Sequence, residues 1–189
     1  MPKKSVKRNK INNYKFNVVE FIIRYILLIF LGIGNLFIIY YLFTPLTVYP
    51  VHWILNLFYK AIFNPFSRTI FIGNYQIELI NACIAGAAYY LLLILNLSTK
   101  MASKQRVYSL IYSILALLAL NIARIVILSV LLVNDFLFFD FTHKLFWYAL
   151  SIVFVIAIWF SSVYFFKIKN IPVYSDLRNL LGLIKVIRK

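Results

Sequence analysis

Apolar residues run along this chain in stretches too long for a soluble core, and the polar residues that interrupt them are few. A bilayer core about 30 Å thick needs about 20 helical residues to cross it. Runs of that kind are predicted at 21–43, 79–97, 107–133 and 144–166, with Arg24 and Arg124 the only charges well inside them. The pattern therefore predicts an all-α fold, a polytopic helical membrane protein with about four transmembrane helices in a single integral domain over 1–189. Arg24 lies close enough to one end of its run for a long side chain to snorkel back to the headgroups. That first run exceeds the about 7–15 apolar residues of a signal peptide, and no small-residue cleavage site follows, so it reads as a retained anchor.

Between the first two runs stand Thr44-Pro45, Tyr49-Pro50 and a short aromatic stretch from His52 to Phe63. The stretch is too short to cross and predicts an interfacial or re-entrant helix starting near Pro50, because proline suits a first helical turn. From Arg68 to Glu78 the residues alternate around Gly73-Asn74, which predicts a small extended hairpin or loop at the membrane surface.

Composition strengthens the lipid reading. Of the 189 residues, 63% are hydrophobic and 13% charged, whereas soluble domains are about a quarter charged. A net charge of +15 would suggest nucleic acid in a soluble protein, but the basic residues lie outside the apolar runs. Fifteen of the 20 sit in the tail 1–20, the loop carrying Lys100, Lys104 and Arg106, and the tail 167–189. All three segments fall on one side of a four-span arrangement, which the retention of Lys and Arg during insertion makes cytoplasmic. The tails read as topogenic charge that also attracts anionic headgroups, with no nucleic-acid motif, and residues 176–189 read as a short amphipathic basic helix. Both termini are then cytoplasmic. Lys60, Arg68, Glu78, Asp135, Asp140 and His143 fall on the opposite side.

Polar residues at membrane depth are costly unless they have partners or a task, which makes Arg124 conspicuous. Asn121, three positions earlier on the same helical face, forms one polar patch with it. Cys83, the single cysteine, can form no intramolecular disulfide. Its small neighbours Ala82, Ala85, Gly86, Ala87 and Ala88 suit a helix-packing face in which it is one more small apolar residue. His143 precedes the last run with Asp140 three residues upstream, close enough to orient an imidazole on a helical turn, although an interfacial histidine also serves as a plain amphipathic anchor. His52, beside Trp53, fits the anchor role better. Taken together, Cys83, Arg124 and His143 fall on the same, extracytoplasmic side. A thiolate is a nucleophile, an imidazole moves protons, and a guanidinium stabilises developing negative charge, so the set suits acyl transfer through a thioester if the three converge. No metal-ligand spacing or phosphate-binding loop accompanies them, and no cofactor is expected.

In Asn81-Ala82-Cys83-Ile84-Ala85-Gly86, Asn121-Ile122-Ala123-Arg124-Ile125 and His143 ahead of the last run, the chain resembles the exosortase and archaeosortase membrane transpeptidases, polytopic proteins defined by a Cys, Arg and His set in this order. The resemblance covers 79–166, and the compact form looks closer to the archaeal branch. Many members have Cys-Ser-Gly where this chain has Cys83-Ile84-Ala85-Gly86. The resemblance implies that Cys83 is the nucleophile, Arg124 the electrostatic stabiliser and His143 the acid/base. The substrates it implies are exported proteins with a carboxy-terminal tripartite sorting signal, cleaved and transferred to a membrane lipid or other amine. Two other functions fit the residues: a non-enzymatic scaffold or small transporter subunit in which Asn121 and Arg124 bind an anion or lipid headgroup, and a hydrolase that releases its product to water.

Overall fold

The computed structural model describes residues 18–33 and 36–168, and nearly all of the two basic tails, including 176–189, lies outside the described residues. Helix α1 (Val18–Gly32) and helix α2 (Phe37–Phe58) divide the first predicted span. The sequence between them, Gly32-Ile33-Gly34-Asn35, is rich in residues that end helices, and Leu36 is left-handed at φ 59°. Apolarity alone does not register such a break.

α2 then runs through Pro45 and Pro50 to Phe58, so no separate helix starts at Pro50 and none reaches Phe63. Each proline frees a carbonyl four residues back. In an apolar surrounding, however, leaving the helix would strand several backbone groups, and the helix persists. Beyond it come three short strands, β1 (Ala61–Asn64), β2 (Thr69–Ile72) and β3 (Tyr75–Glu78), in an antiparallel sheet of order β1-β2-β3. The fold is thus mostly helical rather than all-α. The hairpin expected over 68–78 is β2 and β3, with Gly73 left-handed at its tip (φ 56°) and Thr69 opposite Glu78. β1 adds the strand that the re-entrant helix was expected to occupy. Ala61, Ile70 and Ile72 are buried in one core with Val51 and Leu55 of α2, and this seats the sheet on the helices.

The second predicted span is also two pieces, α3 (Asn81–Ile84) and α4 (Gly86–Leu97), separated by Ala85 in the left-handed region at φ 59°. α5 (Ser103–Val133) is continuous over 31 residues, or about 46 Å. α6 (Phe139–Leu145), a π-turn at Phe146–Leu150 and α7 (Ser151–Phe165) complete the chain. Two helices, α2 and α5, are long and apolar enough to cross a membrane, and a third if α6 and α7, bent by 43°, count as one. The four predicted spans are therefore two or three by length and composition.

The core is apolar, but polar side chains are buried beside it. On α5, Ser109, Ser113, Asn121, Arg124 and Ser129 are buried while Ile111, Leu115 and Ile127 face outward. In hydrocarbon, polar groups of this kind would have to find their partners inside the protein. Ser109 Oγ meets Asn96 Oδ1 at 2.6 Å and Ser162 Oγ at 2.7 Å, joining α4, α5 and α7.

Arginines collar the far end of α4. Arg106 Nη1 donates to the carbonyls of Asn96 (3.0 Å), Leu97 (3.3 Å) and Thr99 (3.2 Å), and Arg24 Nη1 donates to Leu97 O at 2.8 Å. The last carbonyls of a helix lack intrahelical donors and carry partial negative charge, which cations satisfy. Arg24, expected to snorkel, is 7% exposed and turns into the protein instead.

Candidate functional site

Cys83 sits on the single turn α3, held by the break that follows it. In a continuous helix its carbonyl would accept from the amide of residue 87. With Ala85 left-handed, that bond is replaced by two side chains of α5: Asn121 Nδ2 donates to Cys83 O at 2.9 Å, and Arg124 Nη2 donates to it at 3.2 Å. Asn121 is 2% exposed and Arg124 9%, so a buried amide and a buried cation clamp the backbone of the cysteine. Arg124 Nη1 also donates to Ser151 Oγ (2.9 Å), and that hydroxyl donates to Phe146 O (3.1 Å). The chain of bonds ties α3 through α5 to the π-turn ahead of α7. π-helical turns recur at functional positions, where they reorient side chains.

His143 belongs to α6, a helix with no buried residue. Its ring stacks on Phe139 (centroids 5.7 Å, planes 9° apart) and meets Trp147 edge-on (5.9 Å, 86°). These three aromatic side chains are spaced by four and lie along one helical face. Asp140, expected to orient the imidazole, is exposed and no hydrogen bond joins it to His143 among the described residues. The spacing of three placed it plausibly, but the aromatic stack determines the ring's setting.

Cys83, Arg124 and His143 all line one cavity of about 120 Å³, walled otherwise by Ile77, Glu78 and Leu79 from the sheet edge, by Leu128, Ser129 and Leu132 of α5, and by Phe139, Phe146 and Trp147. Cys83, Arg124 and His143, between 19 and 60 positions apart in sequence, reach it from three elements. The supporting candidate Asn121 acts on the Cys83 carbonyl, and His52, read as an anchor, packs against Phe63 of β1. Ser151 and Glu78 were not candidates. Ser151 had no distinguishing signal in a chain with serine at many helical positions, and Glu78 read as a surface charge.

The sheet that roofs the cavity is fastened to the end of α5. Tyr75 Oη donates to Asp135 Oδ1 at 2.5 Å, a bond to carboxylate that raises the Tyr75 phenol above its ordinary range. Asn134 Nδ2 donates to Tyr59 Oη at 3.1 Å. Asp135 is left-handed at φ 48°, a conformation Asp tolerates better than most residues.

Chemically, the cavity offers a thiol, a guanidinium with three N–H groups beyond its two described bonds, and an imidazole, in a mostly apolar surround. Among the described residues no group of three His, Cys, Asp or Glu side chains gathers for a metal ion. Comparison of the chain with protein-family models, with curated proteins and with solved structures finds no match in any of the three.

Proposed function

We propose that this protein is a membrane-embedded cysteine transpeptidase of the exosortase and archaeosortase kind, which cleaves a carboxy-terminal sorting signal from exported proteins and transfers them to a membrane lipid or other amine. One observation carries the reading: Cys83, Arg124 and His143, singled out as a chemical set, line the same small cavity from three separate elements. In this reading the thiol of Cys83 gives its proton to His143 and the thiolate attacks the scissile carbonyl. Arg124 stabilises the oxyanion. The C–N bond breaks, the leaving amine takes the proton from His143, and an acyl thioester remains on Cys83. An amine then attacks the thioester, giving an amide and restoring the thiol.

The proposal includes a membrane arrangement: α1 with α2, α3 with α4, α5, and α6 with α7 each traverse the bilayer, both termini are cytoplasmic, and the cavity opens on the extracytoplasmic side. The test is expression beside an exported protein of the same genome that bears a short motif, an apolar helix and a basic carboxyl end. Wild type removes the tag and Cys83→Ala leaves it in place. Equal processing by both overturns the proposal.

A further inference from the structure

Glu78 is the one acidic side chain in the wall of the Cys83 cavity, and it also belongs to a second, wider space. A groove of about 670 Å³ is lined by Ser67, Arg68, Asn81 and Ala82 and shares Glu78 and Leu79 with that cavity. Glu78 ends the edge strand β3 and faces outward, while Leu79 beside it is 1% exposed and is pinned by its amide to Arg68 O at 3.0 Å. The two residues thus form the partition between groove and cavity. Beside it the Arg68 guanidinium donates from Nη1 to Asn81 Oδ1 (3.1 Å), and among the described residues the Glu78 carboxylate has no ion-pair partner.

We propose that the groove is the acceptor's approach to the thioester and that Glu78 binds the ammonium group of an amine acceptor there, selecting an amine over water. The inference rests on the transpeptidase reading and names the residue that decides the second half-reaction. An amine at neutral pH is protonated and cannot attack. The Glu78 carboxylate concentrates the cation at the partition, and the ammonium gives one proton to water as it passes to the thioester. The free amine attacks the thioester carbonyl, its remaining excess proton passes to His143, the C–S bond breaks, and His143 returns that proton to the thiolate. Arg124 in the cavity and Arg68 in the groove both repel a cation, so Glu78, the one acidic residue lining either space, is the side chain that holds it.

The experiment uses the full chain in liposomes with the tagged exported protein as donor and two acceptor probes, ethanolamine, which is cationic at neutral pH, and hydroxylamine, which is not. Intact mass separates amide, hydroxamate and hydrolysed product. Glu78→Gln lowers the ethanolamine-to-hydrolysis ratio by about tenfold, the size of one charge-assisted hydrogen bond, and raises the apparent KM for ethanolamine. Glu78→Asp recovers part of the ratio, and the hydroxylamine ratio moves much less. An unchanged ethanolamine ratio in Glu78→Gln overturns the assignment, and so does a parallel fall with both acceptors. Processing that survives Cys83→Ala instead removes the transpeptidase reading itself, a result distinct from intact cleavage with unaltered acceptor choice.

Discussion

Arg124 makes two divergent hydrogen bonds, to Ser151 Oγ and to the Cys83 carbonyl, that the single ammonium of lysine cannot reproduce together. Arg124→Lys keeps the charge and loses the fork. Its expected effect is a fall of about 100-fold or more in the initial rate of tag processing, the scale seen when one pre-set donor is removed from an oxyanion site. Ser151→Ala, which removes the acceptor of Nη1 and leaves Nη2 on Cys83, falls between the two. A lysine variant processing at the wild-type rate removes the fork from the mechanism. Cys83, Asn121 and Arg124 were legible because each is a rare polar group within an apolar run, where hydrocarbon makes idle polarity expensive. Ser151 and Glu78 were not, because their roles depend on which distant backbone or cavity they meet. Spacing brought Asp140 near His143 in sequence, but the Phe139 and Trp147 rings set the imidazole, and periodicity of four holds for both rings at once.

At the scale of elements, the break between α3 and α4 creates the site, since it frees the Cys83 carbonyl for α5. The break is legible only in part. Ala85 is an ordinary helix former, and its left-handed conformation costs about 1–2 kcal/mol, which the clamp from Asn121 and Arg124 helps to offset. Gly86 next to it is required by packing: a Cβ there would lie 2.6 Å from two ring atoms of Tyr40 on α2. Gly86→Ala is therefore expected to destabilise the protein by about 1–3 kcal/mol, lowering its thermal midpoint in detergent, and Tyr40→Leu in the same chain restores most of the loss. A double-mutant cycle without coupling shows that the contact does not hold α2 to α4. Apolar runs also do not show where the helices break. Hydropathy sums over Gly32, Ala85, Pro45 and Pro50 alike, although the first two mark helix ends and the prolines lie inside a continuous helix. The serines of α5 did carry a signal. Ser109, Ser113, Asn121 and Ser129 recur at multiples of four, tracing the buried stripe that joins α4 and α7.

On the scale of the whole molecule, α5 sets a ruler. Arg106, in the collar at the end of α4, and Arg124, beside Cys83, are 18 positions apart on one helix, or about 27 Å, close to the thickness of the hydrocarbon. The collar and the cavity therefore occupy opposite margins of an apolar belt built from outward-facing Ile111, Leu115, Ile127, Ile156 and Phe160. The sheet extends the molecule beyond the cavity, and Phe66 at its β1–β2 turn is 98% exposed, suited to an interface where apolar rings meet headgroups. The proposed arrangement has the collar end in the cytoplasm, following the positive-inside bias, and the one native cysteine makes that orientation measurable. In intact cells a membrane-impermeant maleimide is expected to label Cys83 through the cavity mouth. In a Cys83→Ala background it labels Asn74→Cys at the sheet tip at least as fast, because Asn74 is exposed there. Ser103→Cys, exposed at the start of α5, stays unlabelled until the cells are permeabilised. The reverse pattern, with Ser103→Cys labelled from outside and Asn74→Cys only after permeabilisation, would invert the topology and put the cavity on the cytoplasmic side, where no exported substrate could reach it.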